Sequence, residues 1–346
     1  MRKAPGFAGT PPGRGTRLAR LRRYAAAARQ TPLAAFAVLA ALVFVAPSLA
    51  PYNPGRQFSS YPFAPPMRPH LVDDQGVWHR PFAYPVRVVD LIERRYAEDR
   101  TRRITLLAGG SAGDAPWFLL GSDLLGRDVL SRVLAGARLS LGVSMLATLL
   151  TLLIGAAVGA AAGYAGGWTD AALTRLADLV IVLPGIYVIL ALRGALPPVL
   201  TPPQVFTALV AVLSLVGWPS VARGVRGIVL VERGSEYAEA ARALGAGPWR
   251  VIVRHLLPAT RGFLAVQATV LVPAFIMAEA TLSFVGLGFA PPTPSWGAML
   301  LDAGGVRVTA DAPWLLAPAA AIVLTVLVVH SAASVRDPLL WDHNPS

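Results

Sequence analysis

The sequence predicts an all-α polytopic membrane protein with about six transmembrane helices. Of its 346 residues, 55% are hydrophobic and only 14% are charged, whereas an average soluble domain carries about 25% charged residues. The mean hydropathy is +0.55, and long windows of the chain contain no charge at all. A chain of this size and composition would expose much apolar surface to water. Lipid is therefore its expected solvent, and a water-soluble enzyme is not expected.

The charge-free windows locate the spans. A spanning helix needs roughly 20 mainly apolar residues, because each adds about 1.5 Å across a hydrocarbon core of about 30 Å. The third span is the weakest, since Leu179–Leu192 is short and contains Pro184. It reaches spanning length if Arg175 and Asp178 lie near the headgroups or pair within the bundle, and a re-entrant helix is the alternative. The predicted spans are 31–50, 140–163, 172–195, 205–222, 262–284 and 313–334.

Basic residues set the expected orientation. The segment before the first apolar run carries eight basic residues and no acid, which is typical of a cytoplasmic flank. Six crossings then place both termini and the Arg-rich segment 223–261 in the cytoplasm. A cleaved signal peptide is the alternative for the first span, because Ser48-Leu49-Ala50 resembles a cleavage site. The basic tail contains no nucleic-acid recognition module, so we expect lipid and not nucleic acid as its partner.

Five regions follow from these assignments. The loop 51–120 shows no sizeable hydrophobic core, and its charged run Leu91–Arg103 indicates a solvated helix face. An apolar stripe from Leu124 to Leu134 predicts an interfacial elbow before the second span. The regions are a basic cytoplasmic tail (1–30), a first transmembrane helix (31–50), an extracytoplasmic loop with the elbow helix (51–138), a five-helix core containing the cytoplasmic loop 223–261 (139–335), and a cytoplasmic tail (336–346).

The cytoplasmic loop predicts a helical hairpin. Ser235 can cap a first helix, Gly245 can end it in the left-handed conformation, and Pro248 can open a second helix. Each helix carries an apolar stripe at helical spacing, formed by Tyr237, Ala240, Ala241 and Leu244 in the first and by Trp249, Ile252, Val253 and Leu256 in the second. Such a hairpin suits a groove on a partner protein, or alternatively the surface of the bilayer.

Three motifs resemble one family of transport proteins. Glu239-Ala240-Ala241, followed by Gly245 and by His255-Leu256-Leu257-Pro258, resembles the "EAA" loop of ABC importer permeases. The segments Gly121–Arg132 and Pro291–Gly297 are similar to those of the dipeptide, oligopeptide and nickel branch, in its C-type subunits. The loop 51–120 is longer than is usual in that branch, and Arg336–Asp342 matches its ending only in part. The resemblance implies an ABC type I importer permease fold.

The same resemblance implies a permease that is not itself an enzyme. The permease would lie in the cytoplasmic (inner) membrane. Its partners would be a second homologous permease subunit, two cytoplasmic ATP-binding subunits and an extracytoplasmic solute-binding protein. The chain lacks a phosphate-binding Gly-x-x-x-x-Gly-Lys loop, and its only lysine is Lys3, so no cofactor is expected and the partners would bind ATP. The substrate stays open among peptides, nickel and sugars. A polytopic membrane enzyme and an ATP-independent channel are the alternative functions.

The candidate site residues lie in the hairpin and in one span. Glu279 is the one acid within the fifth apolar stretch, close enough to its outer end to be within reach of water, and a gate or structural role is expected for it. No histidine pairing suggests a metal site. The predicted ATPase-coupling residues are Tyr237, Glu239, Ala240, Ala241, Leu244, Gly245, His255, Leu257 and Pro258.

Overall fold

The computed structural model describes residues 38–90, 95–107, 110–111, 116–183, 187–188, 191, 200–304 and 310–334. The two predicted tails, 1–30 and 336–346, lie outside the described residues. The described helices are α1 (Val38–Leu49), α2 (Val129–Ala165), α3 (Gly167–Val182), α4 (Pro202–Glu232), α5 (Glu236–Ala243), α6 (Pro248–Phe284), α7 (Trp296–Asp302) and α8 (Ala317–Ser334).

Four of the predicted spans are confirmed as long apolar helices. Helices α2, α4, α6 and α8, the last with the preceding turn Pro313–Leu316, are long and apolar enough to cross a membrane. For the first span, residues 31–37 lie outside the described part, and α1 is a shorter apolar helix. The third span begins as α3, and most of residues 184–199 lie outside the described part. The count of six stays a prediction.

Several helices are longer than the predicted spans. The segment predicted as a separate elbow is the beginning of α2, which starts at Val129 and runs without a break to Ala165. Asp128 caps this helix, because its carboxylate accepts a hydrogen bond of 2.8 Å from the Ser131 amide. Val129 is buried while Leu124, in the preceding turn, is exposed. The apolar stripe therefore belongs partly to the bundle core and does not form an interfacial helix of its own.

Helices α2 and α4 pack closely along a row of glycines. A Cβ added to Gly155, Gly159 or Gly163 would lie 2.4–2.9 Å from atoms of α4, so only glycine permits this approach. The facing residues on α4 are Val221, Val225 and Val229, all fully buried. The Gly-x-x-x-Gly spacing is thus used within the chain, between two of its own helices.

A second cluster joins α2, α6, α7 and α8. Leu141 on α2 packs with Ile276 on α6, Trp296 on α7 and Ile322 on α8, and α1 contributes Leu39.

Helix α3 is held to α4 by ion pairs. Arg226 binds both oxygens of Asp170 at 2.5 and 2.6 Å, and Arg223 binds Asp178. Pairing is one of the two placements that the sequence allows for Asp178, and both side chains of this pair are about half exposed.

The segment between α1 and α2 contains short strands. A four-stranded antiparallel sheet has the order β1 (His70–Val72), β2 (Trp78–Ala83), β5 (Ile104–Leu107) and β6 (Gly110–Ser111), and β3 (Val86–Asp90) pairs with β4 (Arg95–Glu98) as a hairpin. The prediction of a solvated helix face over Leu91–Arg103 is wrong. Its described part holds strand β4, whose partner β3 lies outside the charged run, and sequence spacing within the run could not reveal that pairing.

These strands also have a small core, contrary to the sequence-based expectation. Ala64, Met67, Ala83, Val86 and Phe118 are buried together. Their apolar residues come from positions spread over more than fifty residues, so no local window is conspicuously apolar. We call this end of the bundle the sheet end, and the opposite end, where α4 meets α5, the hairpin end.

Candidate functional site

The hairpin formed by α5 and the start of α6 is anchored to the end of α2. The Arg233 guanidinium, directly after α4, donates hydrogen bonds to the carbonyl oxygens of Gly163 (3.1 Å) and Tyr164 (3.3 Å). Carbonyls in the last turn of a helix lack intrahelical partners, so Arg233 satisfies them. This contact fixes where the hairpin begins relative to the α2–α4 pair.

The boundaries of α5 are mostly as predicted. Gly245 has a φ of +82°, and the Ala246 amide donates to the Ala241 carbonyl at 3.0 Å while the Gly245 amide donates to Arg242 at 2.9 Å. These two bonds form a Schellman ending, which a left-handed glycine permits. The predicted Ser235 side-chain cap is wrong, because its hydroxyl donates to the Glu232 carbonyl at 2.6 Å and so bonds back to the end of α4.

Helix α6 starts at Pro248, as predicted, but changes its winding soon afterwards. Residues Ile252–Leu256 form a π-helical turn and Leu257–Thr260 a 3₁₀ turn before regular helix resumes. The expectation of one apolar stripe over this helix is therefore wrong. Trp249 is 77% exposed whereas Leu256 is fully buried, because the π turn rotates the following residues relative to an α-helix. Such turns occur frequently at functional sites.

The hairpin presents an apolar surface that nothing in the described chain covers. Ala238, Val251 and Leu256 are buried and attach it to the bundle. Leu244, at the tip, is 89% exposed, and Tyr237 is 43% exposed. We call the three exposed side chains of Tyr237, Leu244 and Trp249 the hairpin face. Exposed apolar patches on otherwise ordered elements mark interaction sites.

The predicted coupling residues lie in the same hairpin, on α5 and the start of α6. Tyr237 donates to the Glu232 carboxylate, and this hydrogen bond raises the pKa of the Tyr237 phenol. Its ring centroid lies 6.3 Å from that of His255, so α4, α5 and α6 meet at one point. Exposed members of the predicted set are Tyr237, Glu239, Ala240, Leu244 and Gly245, and half-buried members are Ala241, His255, Leu257 and Pro258.

Glu279 lies far from the hairpin, near the sheet end of α6. Its side chain is fully buried, so the expectation that it is within reach of water is wrong in this structure. The loop after α6 and helix α7 fold back over it, which depth along α6 alone could not indicate. Ser283 donates to Oε1 at 2.8 Å, and Oε2 has no hydrogen-bond partner among the described residues.

The sheet end also contains a charge cluster that sequence reasoning missed, in which Asp123, Arg127 and Arg132 are buried and Asp302 is partly exposed. Asp123 binds Arg127 (Oδ2 to Nε, 2.6 Å) and Arg132 (3.5 Å), and both arginines approach Asp302 of α7 at 3.4 and 3.5 Å. Burial raises the pKa of Asp302 although the arginines oppose this shift. Asp123 and Arg127 are four residues apart, a spacing from which an ion pair could have been predicted. Asp302 lies far away in the sequence, so no local pattern indicated its contact with the arginines. The cluster ties α7 to the start of α2.

The fold and these contacts define a class: a helical, polytopic membrane protein with an exposed hairpin at one end of its bundle. Comparison with known families makes the assignment specific. Residues 154–340 match the family described as "Binding-protein-dependent transport system inner membrane component", and the chain belongs to this family. It is the permease subunit of an ABC importer, a membrane protein that works with ATPase and solute-binding partners.

Curated relatives are permeases as well. The chain is 43% identical over 214 residues to the glutathione transport system permease protein GsiD of Shigella flexneri serotype 5b, covering 62% of this chain and 68% of that protein. It is 40% identical to GsiD of Escherichia coli O6:K15:H31 over the same shares. Among solved structures, the inward-facing methionine transporter MetNI is similar at 19% identity, with a TM-score of 0.47 over 58% of this chain and 92% of that chain.

Proposed function

We propose that the hairpin face is the point at which separate ATP-binding subunits drive this permease. The observation that carries the proposal is Leu244, an apolar side chain that is 89% exposed at the tip of an ordered hairpin. A leucine in this position gains free energy only when a partner covers it, roughly 1.5–3 kcal/mol for complete burial. An amphipathic helix inserted into a groove is a common way to make such a contact.

The packing supports transmission of movement from this face. Buried Ala238, Val251 and Leu256 join the hairpin to the bundle, and Arg233 joins it to α2. The regular part of α6 then continues from Arg261 to Phe284 at the sheet end. A displacement of the hairpin would therefore tilt α6 and the α2–α4 pair, as alternating access requires.

The remaining features of the proposal follow from this arrangement. The hairpin end would face the cytoplasm, together with both termini, and the sheet end would receive the solute-binding protein. A cavity of about 620 Å³, lined by residues that include Arg95, Asp311 and Trp314, opens at the sheet end. A second, homologous permease would complete the path as a heterodimer. The chain would catalyse no reaction itself, and short peptides of the glutathione kind are the proposed substrates, by analogy with GsiD.

The direct test is Leu244→Asp in the assembled transporter. The side chain makes little contact with its own chain, so folding should be unaffected, while a charge in the partner's groove should abolish co-purification of the ATP-binding subunits and ATP-driven uptake. Leu71→Asp is the control, because Leu71 is likewise an exposed leucine, at 51%, but lies in β1 at the sheet end. We expect it to retain ATPase binding. Normal ATPase binding and uptake by Leu244→Asp would contradict the proposal.

A further inference from the structure

The cavity at the sheet end lies where three separate parts of the chain meet. Val89 and Arg95 belong to the β3–β4 hairpin, and Pro65 belongs to the segment between α1 and β1. Asp311 and Trp314 lie in the segment just before α8. The volume of about 620 Å³ is within the range of about 300–1,000 Å³ that small-ligand pockets occupy. The cavity therefore has the size of a site for a small organic molecule.

Two aromatic side chains of the cavity wall are oriented by hydrogen bonds. The Tyr96 hydroxyl donates to the Pro62 carbonyl at 2.5 Å, and the Trp314 indole nitrogen donates to the Ser122 carbonyl at 3.0 Å. Both bonds bind the side chain to the backbone of a different segment, so the two rings are held in place before any ligand arrives. Walls that are fixed in this way lower the cost of ordering on binding.

Phe63, the third aromatic residue of the wall, has a strained backbone. Its φ is +55°, in the left-handed region that residues with a bulky side chain rarely adopt. The conformation is held by the bond that its amide donates to the Asp123 carbonyl at 3.0 Å. Strained positions of this kind cluster at ligand sites, and this one lines the cavity.

Charged groups of both signs line the same cavity. Asp311 is exposed and forms no ion pair within the part of the chain that the structure describes, so its carboxylate is available to a ligand. An ammonium group suits both a carboxylate and the faces of aromatic rings. Arg95 is also exposed, and its guanidinium suits a carboxylate. A molecule with one ammonium and one carboxylate group is therefore complementary to this cavity.

We infer that the cavity binds a short peptide with free ends, its α-ammonium group at Asp311 and its carboxylate at Arg95. The inference rests on the proposed function, which supplies short peptides as the solute class. It adds a site on the permease itself where such a peptide is held at the sheet end. An internal loop of the solute-binding protein is a less suitable occupant, because it carries neither terminal charge.

Occupancy of the cavity can be followed with one introduced thiol. The chain contains no cysteine, so Val89→Cys, at a position 61% exposed on the cavity wall, supplies a unique reporter in this subunit. The assembled transporter, purified without the solute-binding protein, is treated with a thiol reagent with and without trialanine. Modification of this chain is followed by mass spectrometry. Leu71→Cys is the control, because Leu71 is 51% exposed in β1, which belongs to the other sheet.

We expect trialanine to slow modification of Val89→Cys about tenfold and to leave Leu71→Cys unchanged. N-acetyl-trialanine and trialanine amide each lack one terminal charge, so each should need about a tenfold higher concentration for the same protection. Asp311→Asn, combined with the reporter, should weaken protection by trialanine to a similar degree but leave protection by N-acetyl-trialanine unchanged. Asp74→Asn, which removes an exposed acid from the β1–β2 turn, should change neither.

Three results would overturn the inference: no protection by trialanine, equal protection by the three peptides, or full protection by trialanine in Asp311→Asn. Protection that appears only after the solute-binding protein is added would also overturn it, since the cavity would then be a docking site for that protein. Leu244→Asp should still bind trialanine, and Asp311→Asn should still co-purify with the ATP-binding subunits. Failure of the hairpin face and failure of the peptide site are therefore distinguishable.

Discussion

At the scale of single residues, the molecule depends on a few positions where only one side chain fits. Gly159 is one, because a Cβ there would lie 2.4 Å from the Ala222 carbonyl oxygen of α4. Asp73 is another, since its carboxylate accepts hydrogen bonds from the amides of Gln75 and Val77 at 2.9 Å and from His79 at 2.8 Å. Gly159 controls the packing of α2 against α4, and Asp73 shapes the turn between β1 and β2.

Gly159→Val should separate α2 from α4 locally. Overpacking of a close contact typically costs about 1–3 kcal/mol of unfolding free energy, so we expect a lower thermal midpoint in detergent. Gly262→Val is the matched control, because nothing lies within 4 Å of a Cβ at Gly262. Equal midpoints for the two variants would show that the glycine row does not determine the α2–α4 contact.

Asp73 should make the sheet sensitive to acid. Its hydrogen bonds, first those from Val77 and His79, lower its pKa to about 2 in the folded protein, below the value near 3.9 of an unfolded chain. A lowered pKa contributes stability that is present above the unfolded value and is lost as the pH falls towards 2. The protection of the Val77 amide against hydrogen exchange, relative to the intrinsic rate at the same pH, should therefore fall below about pH 4.

Asp73→Asn should already show fast exchange at neutral pH. Asp74→Asn, at the adjacent and exposed position, should behave like the unmodified chain, because the contact of Asp74 within the described residues is an exposed one of 3.4 Å with Arg100. Slow exchange at neutral pH in Asp73→Asn would show that the carboxylate does not organise this turn.

At the scale of elements, helix α3 shows how ion pairs hold a weakly packed helix. Ala177 is its only buried residue in the described structure, so charge pairs with α4 carry much of its attachment. The Asp170–Arg226 pair is bidentate and partly shielded, with side chains that are 16% and 34% exposed, whereas Asp178–Arg223 is about half exposed on both sides. Exposed pairs are worth about 0–1 kcal/mol, and a bidentate, partly shielded pair should lie at or above the upper end of that range.

The two pairs should therefore differ when they are removed. Asp170→Asn should destabilise the attachment of α3 measurably, as faster proteolysis or hydrogen exchange within α3, and Asp178→Asn should change it little. The two variants remove the same charge from the same helix, so each serves as the control for the other. A larger effect from Asp178→Asn would contradict this ranking.

The elements also show which features sequence reasoning could reach. The lengths of the apolar windows predicted α2, α4, α6 and α8, and local φ requirements predicted the Gly245 ending and the Pro248 start. Contacts between distant segments were not accessible in the same way. The strands around Phe82, the π turn at Ile252–Leu256 and the burial of Glu279 each depend on partners elsewhere in the chain.

At the scale of the whole molecule, the contacts form a continuous connection between its two ends. The hairpin is attached to α2 through Arg233, α2 packs along α4 through the glycine row, and α6 extends from the hairpin to the sheet end. The Asp302 cluster holds α7 to the start of α2 at the far end. We expect a force applied at the hairpin face to reach the sheet end through these helices.

The most direct measurement of this account is cross-linking from the tip of the hairpin. Leu244→Cys places a unique thiol in this subunit at the most exposed large apolar residue of the described part of the chain. A short cross-linker with one thiol-reactive and one photoreactive end is added to the assembled transporter in native membranes. We predict a covalent adduct between this chain and an ATP-binding subunit, identified by mass spectrometry. Cross-links to lipid alone, in a preparation that still performs ATP-driven uptake, would contradict the account.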